Sequence, residues 1–278
     1  MENAFVIAAN GLKHLKSNPI LLVPGFTYYF IAVVLSFLFK NFIDLKITSS
    51  ITMAGLFLLL TTVLSYFTTA GLIGGAKEVV TSGRTVFSDL LFYGRKYCFK
   101  LIVAAVFIWA LRSLSALFWT PVLRLFLNSE YTAAFVADAL MTDPMLLLPL
   151  FDLLGPAALL SLFLSSAYFI VVSFLFYFVS FIIVIDETSV FKSYRKSFSL
   201  LRKHPIQIVS FVLLMTLLRV LFILVIIIMT AFLIYFQFLS IFSTLLQILI
   251  SVLFAACMNI WITRFYIVLT KQKMIFSS

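Results

Sequence analysis

Charge is scarce in this sequence. Only 11% of its residues are Asp, Glu, Lys or Arg, under half of the roughly 25% usual in soluble domains. That shortage excludes a water-soluble globule, which needs polar side chains to cover its surface. Cysteine is nearly absent as well. Cys98 and Cys257 lie inside or at the ends of apolar segments, so neither a disulfide framework nor a CxxC metal site is available. His14 and His204 are the only histidines and stand singly on basic stretches, which reads as interfacial placement rather than metal ligation. No P-loop, HExxH, GxSxG or GxGxxG motif occurs. The expectation is therefore a protein without catalysis, cofactor or metal.

What the chain does hold is apolar. Hydrophobic residues make up 64% of its 278 positions, 33 of them Phe, and the mean hydropathy is +1.19. Runs such as Leu213 to Phe236 must face something other than water, and a bilayer is the solvent that accepts them. A span needs about 20 mainly apolar residues. The criterion finds Ile20 to Phe39, Ile51 to Ile73, Leu101 to about Thr120, a stretch ending at Ile185, and Ile206 to Leu269. The first is too long for a signal-peptide core and reads as an uncleaved span. The last is too long for one helix and divides at its polar interruption, Gln237 to Ser243. Pro149, Asp152, Gly155 and Pro156 are expected to break the stretch from Met145, so that its span starts near Ala157. Met145 to Pro156 then lies outside the membrane or dips into it. Six spans result.

The basic residues follow the positive-inside rule. One side collects Lys13, Lys16, Lys77, Arg84, Arg95, Lys96, Lys100, Lys192, Arg195, Lys196, Arg202, Lys203, Lys271 and Lys273; the other has Lys40, Lys46 and Arg124. The rich side is expected to be cytoplasmic, with both termini there and the protein in the cell membrane. The formal charge of +10 is thereby a matter of topology, and no nucleic-acid partner is expected.

An internal repeat organises the expected bundle. Each pair of spans follows an amphipathic stretch of the kind that lies flat at a membrane surface. In the first, Phe5, Ala8, Leu12 and Leu15 oppose Asn10, Lys13 and Ser17. In the second, Val79, Val86, Phe87, Leu90 and Leu91 contrast with Lys77, Arg84, Ser88 and Arg95. In the third, Val190, Phe191, Tyr194, Phe198 and Leu201 oppose Lys192, Arg195, Ser199 and Arg202. The junction Leu15-Lys16-Ser17-Asn18-Pro19-Ile20 matches Leu201-Arg202-Lys203-His204-Pro205-Ile206, with proline in the first turn of a new helix. Arg95-Lys96 through Leu111-Arg112 overlays Arg202-Lys203 through Leu218-Arg219 at a constant offset of 107. The fold class expected is all-α, a polytopic membrane bundle of three repeats, about 1–75, 76–186 and 187–278, in one membrane domain. Ala70, Gly71, Gly74 and Gly75 read as a site of close helix packing rather than a ligand site.

Arg112 and Arg219 fall near the middle of their spans, where an arginine costs at least about 2.5 kcal/mol unless it finds a partner or a cavity. Either they form a basic site for an anionic group such as a lipid phosphate, or they snorkel or bond to carbonyls and to Asp152. Lys13, Lys16, Arg95, Lys96, Arg195, Lys196, Arg202 and Lys203 form the basic membrane-surface set. Asp186 and Glu187 are placed where carboxylates favour a helix N-terminus, with no partner visible in the sequence. Arg264 reads as snorkelling to the interface.

A span ending Ile183-Val184-Ile185-Asp186-Glu187, followed by Ser193 to Leu201 and the Lys/Arg-rich junction before Pro19 and Pro205, resembles the archaeal and bacterial six-span proteins that are similar to the membrane domain of glycerophosphoryl diester phosphodiesterases. The resemblance implies a lipid-associated membrane module without the hydrolase, whose catalysis belongs to a separate soluble barrel. Anionic membrane lipids, and possibly another membrane protein, are the expected partners. The alternative class is a transporter or permease subunit for an anionic or amphiphilic solute.

Overall fold

A computed structural model of the chain describes residues 13–44, 50–119, 148–235 and 240–275. Expectations resting on Phe5 to Leu12, Lys46, Arg124 or Gln237 lie outside the described residues. All regular elements among those described are helical: α1 (Val23–Asp44), α2 (Ser50–Ser82), α3 (Phe87–Ser113), α4 (Leu148–Leu175), α5 (Val179–Ile185), α6 (Val190–Lys203), α7 (Pro205–Tyr235) and α8 (Ser240–Ile275), with 3-10 turns at Pro19–Leu22 and Leu114–Trp119. Among the described residues six segments are long and apolar enough to cross a membrane: Pro19–Phe39, Ala54–Ser82, Phe87–Phe118, Phe163–Ile185, Pro205–Met229 and Leu245–Thr270. The expected division of the last long run falls between α7 and α8.

Contacts divide the chain into two compact units, one formed by residues 1–104 and 178–278 and the other by 105–177. In the first unit α5 is the innermost element: Val179, Ile182, Ile183 and Val184 are fully buried. A helix apolar all round belongs in a protein interior. α5 packs against α2 and α6, and the same unit buries Ala70, Ile73 and Val79 of α2, Leu101 of α3, Ile208 of α7, and Ile260 and Tyr266 of α8. Phe211 and Phe265 stack with ring centroids 3.8 Å apart. The exposed surface of α7 is largely hydrocarbon, with Leu213, Leu217, Val220, Leu224 and Ile228 exposed beside exposed Thr216 and Arg219, a surface that water penalises and lipid accepts. Since lipid tails are as apolar as these side chains, cohesion between the helices comes from close packing and internal hydrogen bonds.

Glycines make the closest approaches. A Cβ on Gly74 would lie 2.0 Å from the Tyr93 ring, and one on Gly71 2.9 Å from the backbone oxygen of Leu90. The small-residue run of α2 is thus where α3 crosses it.

Helix lengths exceed a bilayer core. α2 has 33 residues and rises about 50 Å, against about 30 Å of hydrocarbon. The surplus carries Lys77 and Glu78 beyond the apolar zone, together with the first turns of α3.

Four expectations need correction. The second amphipathic stretch is not a separate surface helix: α2 runs through Lys77 and Val79 to Ser82, the chain turns at Gly83 (φ +80°), and α3 starts at Phe87. Where Pro205 opens α7, α3 has no proline: Cys98 lies within it, and its thiol meets the Val63 carbonyl at 3.5 Å. The expected break before Ala157 also does not occur, because α4 is continuous from Leu148. Pro149 sits in its first turn, where an N–H has no partner anyway, and Pro156 removes a single ladder bond. Further along, the fourth span is not one helix: the ladder is interrupted at residues 176–178 before α5 resumes it. Lastly, the apolar residues of α6 do not share a face. Tyr194 is buried with Ser193, Ser197 and Leu200, whereas Phe191 and Phe198 are 72% and 54% exposed. The Tyr194 hydroxyl donates to the Ala104 carbonyl at 2.6 Å, and a phenol with a buried acceptor is better placed inside than in lipid.

Candidate functional site

One end of the first unit concentrates its polar chemistry, and Asp186 and Glu187 stand at the centre. Asp186 closes α5 and accepts hydrogen bonds from Lys196 Nζ at 2.5 Å and from the hydroxyl of Tyr266. Glu187 accepts from Lys96 Nζ at 2.7 Å and faces Lys77 Nζ at 3.8 Å. Tyr93 donates to Glu78 at 2.6 Å. The lysines also lie over aromatic faces: Lys77 over Tyr93 at 5.5 Å, Lys96 over Tyr97 at 5.2 Å, Lys100 over Tyr97 at 5.4 Å. Cation–π contacts of this kind hold an ammonium without neutralising it. The arrangement ties the ends of α2, α3, α5, α6 and α8 together, and it leaves cations in excess of carboxylates.

Glu187 occupies left-handed backbone, φ +57°, a conformation that costs a non-glycine residue about 1–2 kcal/mol. A carboxylate holding two lysines is what this strained corner gains. Lys96 foremost keeps the Glu187 carboxyl below its ordinary pKa. A depressed carboxylate pKa stabilises the fold fully above the ordinary value, and that stability is lost as pH falls through the folded-state value. Glu187 is 48% exposed on its side chain, so the effect is limited to about 1 kcal/mol or less. Comparing apparent melting temperatures at about pH 7 and about pH 3.5 should show an acid-induced loss in the wild type that is smaller in Glu187→Gln.

A second polar knot joins the chain's first described residues to the turn between α2 and α3. Buried Asn18 donates to the carbonyls of His14 and Gly83, each at 3.2 Å, and accepts from the Thr85 N–H at 3.3 Å. Asp89 reaches back to the Val86 N–H at 3.0 Å and closes the N-terminus of α3. Lys13, Lys16 and Arg84 project from this knot and are exposed. Burial, then Arg264 and Lys13, hold His14 below its usual pKa, so Arg264 belongs to the same positive region.

Of the expected surface cations, Arg95, Arg195, Arg202 and Lys203 are exposed, whereas Lys96 and Lys196 are drawn into the carboxylate network. Sequence reasoning left Asp186 without a partner because Tyr266 lies 80 residues away within an apolar run. Arg219, on α7 in the first unit, is exposed. Arg112 belongs to the second unit and is engaged there: its Nη2 donates to Ser173 Oγ at 3.0 Å, and its guanidinium covers the Phe169 ring at 4.8 Å. Tyr168 donates to the Leu111 carbonyl at 2.9 Å beside it. Among the described residues no group of His, Cys, Asp and Glu could hold a metal ion.

Six helices among the described residues, each long and apolar enough to span a bilayer, are those of a multi-pass α-helical membrane protein. The chain belongs to the family described as a domain of unknown function (DUF7847), whose model matches residues 7–269. That match carries no link to the phosphodiesterase membrane domain. No curated protein and no solved structure matches the chain.

Proposed function

We propose that the protein is a non-catalytic membrane module that gathers anionic lipid at its basic face, in the cell membrane with that face and both termini cytoplasmic. The observation that carries this reading is the outer side of α6. Phe191 and Phe198 are exposed there alongside exposed Lys192, Arg195 and Arg202, while Tyr194 and Lys196 fasten the other side to Ala104 and Asp186. Aromatics one and two turns from cations suit the boundary between headgroups and acyl chains, where each Lys or Arg contributes about 1 kcal/mol toward an anionic surface.

The test exchanges Lys192, Arg195 and Arg202 for glutamine in purified protein titrated with phosphatidylglycerol and, separately, phosphatidylcholine, counting retained lipids by native mass spectrometry. The triple variant should need at least about tenfold more phosphatidylglycerol to reach wild-type occupancy, with phosphatidylcholine unaffected. Equal retention by both proteins would discard the reading.

A further inference from the structure

A cavity of about 150 Å³ lies beside the Asn18 knot, bounded by α1, α2 and α3. Thr27 and Ile31 line it from α1, Leu64 and Thr68 from α2, Phe87 and Leu91 from α3. The Thr68 hydroxyl is turned to its own helix, bonding the carbonyls of Leu64 and Ser65 at 3.0 and 2.9 Å, so hydrocarbon dominates the wall. Apolar cavities of this size stay dry and accept apolar guests. The lining extends along α1 from Pro24 to Ile31, about 10 Å. It therefore runs inward from the polar end along helices that cross the membrane.

Cations follow closely in the chain on either side of the Asn18 contacts. Asn18 binds Gly83 and Thr85, which sets the backbone of Lys16 beside that of Arg84. Pro24 and Phe87, both lining the cavity, follow a few residues after these two contacts. Exposed Lys16 and Arg84 thus precede the lining residues Pro24 and Phe87 by eight and three positions, with Lys13 and Arg264 adding positive potential at His14.

We infer that this slot holds one hydrocarbon chain of an anionic membrane lipid, whose phosphate meets Lys16 and Arg84. The inference rests on the lipid-gathering role proposed above but names a different place, distinct from α6. A hydrocarbon chain suits walls that are almost wholly apolar, and a phosphate suits Lys16 and Arg84, which no carboxylate among the described residues pairs, the nearby Asp89 being taken by the Val86 N–H and the Thr85 hydroxyl. The slot takes a lipid singly, whereas the α6 face meets the headgroup layer as a surface.

The same titration separates the two sites. Thr27→Trp fills the slot from an exposed position and should remove one firmly held lipid per protein, weakening phosphatidylglycerol and phosphatidylcholine alike by about tenfold or more. Lys16→Gln with Arg84→Gln, both at exposed sites, should weaken phosphatidylglycerol alone. Glycerol phosphate, a headgroup without a chain, should not compete at millimolar concentration. Unchanged lipid count in Thr27→Trp overturns the inference, as does full competition by glycerol phosphate. A photo-crosslinker at position 27 that captures a second copy of the chain instead of lipid also overturns it. If the α6 triple variant loses lipid and the slot variants do not, the slot is wrong and the α6 reading stands; the reverse result removes α6 and keeps the slot.

Discussion

Gly74→Val is expected to cost about 3 kcal/mol or more and to lower the apparent melting temperature by on the order of 10 °C. The new Cβ would sit 2.0 Å from Tyr93 Cγ and 2.4 Å from its Cβ, atoms at the root of the side chain that cannot swing aside. Tyr93 is further fixed by its hydrogen bond to Glu78. The helices would have to separate, and in a bilayer no hydrophobic gain compensates the lost contacts. Two neighbours calibrate the result. Gly75→Ala meets the methyl ends of Leu90 and Leu21 at 2.3 and 2.8 Å and, at ordinary contact distance, the Thr85 hydroxyl at 3.6 Å, and Gly55→Ala meets nothing within 4 Å. Melting followed by size-exclusion fluorescence should rank Val at 74 well below Ala at 75, with Ala at 55 equal to wild type. Equal melting of all three would mean that α2 and α3 do not cross at the glycines.

How much of this was legible follows from the range of each signal. The six spans were, because length and hydropathy are local and a bilayer imposes them directly. Pro205 marked the start of α7 for the same reason: a missing N–H acts where it stands. The second stretch was misread because its apolar spacing is helical whether it forms one surface helix or the ends of two long ones. Only Gly83 and the absence of proline at 98 distinguish these cases. The interruption at residues 176–178 contains no Gly or Pro, so no local residue announces it. Tyr194 was grouped with Phe191 and Phe198 by spacing, yet its hydroxyl is satisfied 90 residues away at Ala104. The candidate site suffered most. Its cations are plain in the sequence, but which of them meet carboxylates depends on contacts such as Lys96 to Glu187, 91 positions apart.

Those long-range contacts decide what the basic end can do. Lys96 and Lys196 hold the fold, through Glu187 and Asp186, and are therefore poor candidates for lipid. The cations left outward, Lys16, Arg84, Lys192, Arg195 and Arg202, are those for which a mobile anion meets no competing carboxylate among the described residues. Structure and ligand capture are thus assigned to different members of one positive surface.

Asp186→Ala tests the structural half and should be the most damaging change at this end, at about 2–4 kcal/mol. It strands the fully buried Tyr266 hydroxyl and leaves Lys196 without its acceptor, and an orphaned buried donor alone costs about 1–3 kcal/mol. The ion pair adds less, because the Lys196 side chain is 40% exposed and solvent screens it. Tyr266→Phe should cost less, since Asp186 keeps Lys196 and no hydroxyl remains buried. In the double variant the penalty for stranding Tyr266 disappears, so the double-mutant cycle should return a coupling of about 1–3 kcal/mol. Hydrogen exchange read over residues 186–203 should rise in Asp186→Ala, because Asp186 and Lys196 clasp α6 to the end of α5. Additive single effects with unchanged exchange would mean that α6 is held by Tyr194 alone.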